Sequence, residues 1–153
     1  MSRRADAITI LVADDDPEDC LLLKEAFEES RIANRLLFVA DGEQLVDYLY
    51  RSGEYQDPAT SPRPGIILLD LNMPRKDGRE ALAEIKSDPE LRKIPVVILT
   101  TSKAEEDICR SYRLGVNSYI TKPVTFESLV EVVKTLGNYW FGIVELPPEQ
   151  HDV

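Results

Sequence analysis

Five short strand-like runs, most of them apolar and each followed by a stretch with helical spacing, constrain this chain more than any other feature. Residues 8–13 (ITILVA), 36–40, 66–70, 94–99 and 118–121 read as strands, rich in β-branched and aliphatic residues. Between them, apolar residues recur at intervals of three and four. Asp16-Pro17 opens a helix to about residue 30, with Cys20, Leu23, Ala26 and Phe27 on one face. Asp41-Gly42 turns into a second helix with a Leu45, Val46, Leu49 and Tyr50 stripe. A third starts near Gly78, carries Ala81, Leu82 and Ile85 inward, and ends at Asp88-Pro89. A fourth over about 104–114 stops at Gly115, and a fifth covers about 125–138. Strict alternation with near-continuous apolar strands predicts an α/β architecture: a doubly wound (βα)5 parallel sheet with helices on both faces, in the order 2-1-3-4-5. Residues 53–65, with three prolines and two glycines, read as a surface loop within that pattern.

The third strand ends on a carboxylate. Ile66-Ile67-Leu68-Leu69 runs into Asp70, and Leu71-Asn72-Met73-Pro74-Arg75-Lys76-Asp77-Gly78 follows as a turn. In open α/β sheets the carboxyl ends of the strands are where ligands bind. With strands one and three adjacent, Asp14 and Asp15, which follow strand one, meet Asp70 at one crevice. As solvated turn residues and helix caps, Asp14, Asp15 and Asp16 would need no ligand. Beside Asp70 they repel one another, and a hard cation such as Mg2+, or Mn2+, resolves that repulsion because it takes carboxylate, carbonyl, water and phosphate oxygens. Thr100 after strand four and Lys122 after strand five reach the same edge; each is an ordinary surface residue by itself, and together they suit a phosphoryl group.

Charge and composition exclude other classes. A formal net charge of −10 lacks the basic face that nucleic acid requires. Cys20 and Cys109 read as small buried hydrophobes of a reducing compartment, and His151 is the only histidine, so no zinc-ligand spacing exists. The apolar run at 8–13 is too short for a signal core or a membrane span, which makes cytoplasmic the expectation.

These residues carry a resemblance. The acidic pair Asp14-Asp15, the segment Asp70-Leu71-Asn72-Met73-Pro74-Arg75-Lys76-Asp77-Gly78, Thr100, and Tyr119-Ile120-Thr121-Lys122-Pro123 occur in the order found in receiver domains of two-component response regulators, and the match covers about residues 8–138. The resemblance implies a flavodoxin-like receiver fold and a phosphoacceptor protein rather than an enzyme. It implies that Asp70 takes a phosphoryl group from the phosphohistidine of a histidine kinase. Asp15, Asp70 and the carbonyl of Asn72 would ligate Mg2+, with Asp14 reaching it through water. Lys122 would contact the phosphoryl group, Thr100 would move toward it, and Tyr119 would be the switch aromatic.

The long 53–64 loop and the tail Tyr139-Trp140-Phe141-Gly142-Ile143-Val144-Glu145-Leu146-Pro147 narrow the resemblance to stand-alone regulators that partner bacterial phytochromes. The reading is one receiver domain over 1–153, with a core at 8–138 and an extension at 139–153. That extension either packs on its own domain or crosses to a second copy. The expected dimer uses helix four, strand five, helix five and the tail. The 15 residues after helix five are too few for a DNA-binding or enzymatic effector. Two other readings share the chemistry. A haloacid-dehalogenase-type aspartyl-phosphate hydrolase would want an Asp at position 72, where Asn72 stands. A flavin mononucleotide binder would want a Ser/Thr/Gly-rich phosphate loop where Asp14-Asp15-Asp16 stands.

Overall fold

The runs set between helical stretches are those that pair. In the computed structural model, which describes residues 9–29, 34–71, 73, 75–100, 118–121, 127, 130 and 131, the strands are β1 (Ile10–Ala13), β2 (Leu36–Val39), β3 (Ile66–Asp70), β4 (Val96–Thr100) and β5 (Ser118–Thr121). All pairings are parallel and the order is β2-β1-β3-β4-β5, as the alternation predicts. The helices between them are α1 (Pro17–Glu29), α2 (Gly42–Leu49) and α3 (Gly78–Ser87). The fourth and fifth helices expected from sequence lie outside the described residues, apart from helical Glu127, Val130 and Glu131.

Side chains of each central strand divide between two cores with a period of two. Leu11, Ala13, Ile67, Leu69, Val96 and Ile98 face α2 and α3, meeting Leu45, Tyr48, Leu49, Ala81, Leu82 and Ile85. Ile10, Val12, Ile66, Leu68, Val97 and Leu99 face the other way, onto Leu23, Ala26 and Phe27 of α1, with Val130 packed alongside. Every residue of β3 is buried. Each such aliphatic side chain contributes about 1.5–3 kcal/mol on burial, so the four of β3, Ile66 to Leu69, make it a firmly anchored support for whatever stands at its end.

Strand ends differ from the sequence expectation for local reasons. The β4 run begins at Val96 rather than Ile94, because Ile94 closes a short 3-10 turn (Leu91–Lys93) by donating to the Leu91 carbonyl at 3.0 Å. Pro95 has no N–H, so the ladder opens through its carbonyl, which accepts from Ile67 at 3.0 Å. β2 stops at Val39, and the Ala40 N–H is taken by the Gln44 side chain at 2.7 Å. In α2 the buried aromatic is Tyr48 rather than Tyr50, which is half exposed at the helix end. Tyr50 instead donates its hydroxyl to Asp88 at 2.8 Å, tying the end of α2 to that of α3.

The proline-rich loop packs against the domain at specific points. Tyr48 donates to the Pro62 carbonyl at 2.7 Å, Arg35 to that of Ala59 at 3.1 Å, and the Tyr48 and Tyr55 rings sit 5.3 Å apart. Burial pushes the Tyr55 hydroxyl up to about 12, with Glu54 adding to the effect, so that ring is neutral at ordinary pH.

Candidate phosphoryl-transfer site

Parallel register brings the acidic residues together. Ala13 stands opposite Leu69 where β1 pairs with β3, so the next residues, Asp14 and Asp70, leave the sheet side by side. Asp14 and Asp70 are buried and Asp15 is exposed. Each of the three offers a carboxylate oxygen within 4.8 Å of the other two. At an effective dielectric of about 20, two unit charges at that separation repel by on the order of 3 kcal/mol.

The turn after β1 is shaped by the same residues. The Asp16 N–H donates to Asp14 Oδ1 at 2.9 Å, while Asp16 caps α1 by accepting from the Glu18 N–H at 2.9 Å. The Cys20 thiol donates to the Asp14 carbonyl at 3.6 Å. Asp16 is therefore spent on the helix, whereas Asp14 and Asp15 face the crevice. The cap reading from sequence applies to Asp16 and not to its two neighbours.

The chain after β3 is held as closely. The Gly78 N–H donates to the Leu71 carbonyl at 3.1 Å, and a Cβ on Gly78 would stand 2.5 Å from the Asp70 carbonyl oxygen. Asp77 caps α3, and Glu80 completes a capping box by accepting from the Asp77 N–H. The Asp77-Gly78 pair thus starts a helix and lets it lie against the backbone of Asp70 itself.

A hard divalent cation fits this donor set. In octahedral geometry with bonds of about 2.1 Å, ligand oxygens lie about 3 to 4.2 Å apart, and carboxylate oxygens all within 4.8 Å of one another need only small adjustments or one bridging water. Among the other residues assigned from sequence, Asn72 and Lys122 lie outside the described residues. β4 carries Thr100 to the same sheet edge as Asp70, since Leu99 is the partner of Asp70, and Thr100 stands opposite Thr121 on β5. The side chains of Thr100 and Tyr119 lie outside the described residues. Sequence reading gave Asp41 and Arg75 no part in this site; they form an ion pair at 3.0 Å, and the signal was Arg75 itself, a long cation within a turn.

A family model for the response regulator receiver domain matches residues 10–134. The chain belongs to the response regulator receiver domain family. This receiver is 45% identical over 138 residues to response regulator Rcp1 of Synechocystis sp. strain PCC 6803, spanning 90% of this chain and 92% of that one. Among solved structures, the phosphorylated cyanobacterial phytochrome response regulator RcpA superposes with a TM-score of 0.78 at 45% identity, covering 93% of this chain and 99% of that one. The Mn2+-bound form of Rcp1 gives 0.76 at 44% identity, covering 92% and 99%. The hydrolase alternative finds no support: receivers are phosphoacceptors rather than turnover enzymes, and this receiver has Asn72 where the hydrolase would want its second Asp. Among the described residues, no helix is long and apolar enough to cross a membrane.

Proposed function

We propose that Asp70 accepts a phosphoryl group from the phosphohistidine of a phytochrome-type histidine kinase, and that the modified receiver signals through protein contacts. The observation that carries this reading is the convergence of Asp14 and Asp15 on Asp70 across the β1–β3 boundary. Likeness to Rcp1 and RcpA supports the choice of kinase. A carboxylate oxygen of Asp70 forms a bond to phosphorus as the P–N bond to imidazole breaks; the imidazole leaves and an acyl phosphate remains. Asp14, Asp15, Asp70 and the Asn72 carbonyl would hold Mg2+ or Mn2+. When bound, that ion supplies positive charge against the phosphoryl oxygens. Lys122 adds a second compact cation and Thr100 a hydroxyl donor, so the acyl phosphate, carrying roughly −1.5 to −2 charges, meets partners that the bare carboxylate lacks. That difference shifts the conformational balance, with Tyr119 as the aromatic that follows Thr100.

Residues 1–153 form one receiver domain in this reading. Its tail at 139–153, with helix four, strand five and helix five, makes the surface of a symmetric dimer. Transfer tests the assignment directly. An autophosphorylated phytochrome-type kinase, mixed with the full chain and Mg2+, should pass its label within seconds, and the labelled receiver should shift toward dimer in light scattering. Label that stays on the kinase over minutes would refute the pairing, and a receiver that labels without any change in mass would refute the dimer output.

A further inference from the structure

The turn that follows Asp70 is gripped from the side of α2 as well as by α3. Asp41 is the N-cap of α2, and its Oδ1 accepts from the Gln44 N–H at 2.8 Å. Its Oδ2 accepts from Arg75 at 3.0 Å, and the carboxylate is almost wholly buried while the arginine is largely exposed. Arg75 holds φ at 63°, a left-handed conformation that a residue with a Cβ keeps only where its surroundings impose it. The next residue is pinned twice. The backbone of Gly42 lies so close to Lys76 that a Cβ there would stand 2.0 Å from the Lys76 carbonyl oxygen, and Lys76 forms an ion pair with Glu84 of α3. Leu71 and Met73, earlier in the same turn, are buried in the core on the α2–α3 face.

We propose that Asp41 and Arg75 are positioning residues for the cation of the phosphoryl-transfer site: their ion pair clamps the β3–α3 turn against the start of α2 and so sets the backbone just beyond Asp70. The inference rests on the reading of Asp14, Asp15, Asp70 and the Asn72 carbonyl as the cation's ligands. Residue 72 lies between Leu71, fixed by Gly78, and Arg75, fixed by Asp41. Loosening one end would misplace a backbone ligand without touching any carboxylate. Neither residue contacts the phosphoryl group; both act through the turn.

Titration of the full chain with Mn2+ alone, followed by the electron paramagnetic resonance signal of free Mn2+, tests this without any phosphodonor. Arg75→Ala keeps a Cβ at the same φ and removes the side chain beyond it, guanidinium included; Asp41→Asn keeps a competent helix cap and removes the charge. Each should raise the Mn2+ Kd about three- to tenfold, and the double variant should be no weaker than either single one. Arg75→Lys should recover part of the loss. The metal-free thermal midpoint of Arg75→Ala should stay within about 3 °C of wild type, whereas a purely structural role would lower the midpoint and leave Kd in place. A Kd within about 1.5-fold of wild type in Arg75→Ala, or losses that multiply in the double variant, would overturn the clamp while leaving the acidic site intact. If the wild-type chain itself binds no Mn2+, the ligand reading fails and the clamp fails with it.

Discussion

Asp70→Asn should abolish phosphorylation of this receiver, by a kinase or by acetyl phosphate, while leaving its fold in place. The amide oxygen is a poor nucleophile and forms no stable acyl phosphate, so labelling should fall to background rather than merely slow. The fold should persist because Asn matches the shape of Asp, and because β3 is held by its buried Ile66, Ile67, Leu68 and Leu69 rather than by the side chain at its end. Removing one of three converging carboxylates also relieves repulsion with Asp14 and Asp15. Circular dichroism should match wild type, and the Mn2+ Kd should rise at least about tenfold. Stoichiometric labelling of Asp70→Asn would show that the acceptor lies elsewhere.

The second large effect is on stability. Gly42→Ala should destabilise the protein by about 3 kcal/mol or more, lowering its thermal midpoint by roughly 6–12 °C. Propensity alone predicts the opposite sign, since Ala is favoured over Gly in a helix by up to about 1 kcal/mol. The structure reverses it. A Cβ at residue 42 would stand 2.0 Å from the Lys76 carbonyl oxygen and 2.6 Å from its carbonyl carbon, and both are backbone atoms. That backbone has little room to retreat, because Arg75 is bound to Asp41 and Lys76 to Glu84. Thermal unfolding of the single variant gives the answer, and a midpoint at or above wild type would show that α2 and the turn are not in contact.

Much of this architecture was legible because its signals are local. The runs at 66–70 and 118–121 match β3 and β5, since nothing in them competes with the strand period. Asp77-Gly78 and Asp41-Gly42 mark helix starts because capping needs only a short side chain and a few residues of context. The convergence of Asp14, Asp15 and Asp70 could be inferred because the strand order brings β1 beside β3. Features that depended on distant neighbours were hidden. Tyr48 and Tyr50 look alike in a helical stripe; which one turns inward is decided by Pro62 and Asp88, 14 and 38 residues away. The end of α2 has no glycine to announce it. Arg51 takes the left-handed position at φ 54°, and the Ser52 and Arg51 N–H groups close the helix onto the Asp47 and Tyr48 carbonyls. The Asp41–Arg75 pair spans 34 residues, and sequence spacing alone could not join them.

Mapping the phosphate tests the central claim most directly. The full chain would be labelled with acetyl phosphate in the presence of Mg2+ and in the presence of a chelator, the acyl phosphate reduced with borohydride, and the modified residue located by mass spectrometry. One modification per chain at Asp70, lost when the cation is chelated, is the predicted result. Modification at Asp14 or Asp15, or labelling of Asp70 that persists under chelation, would contradict a cation-assisted acceptor at the end of β3.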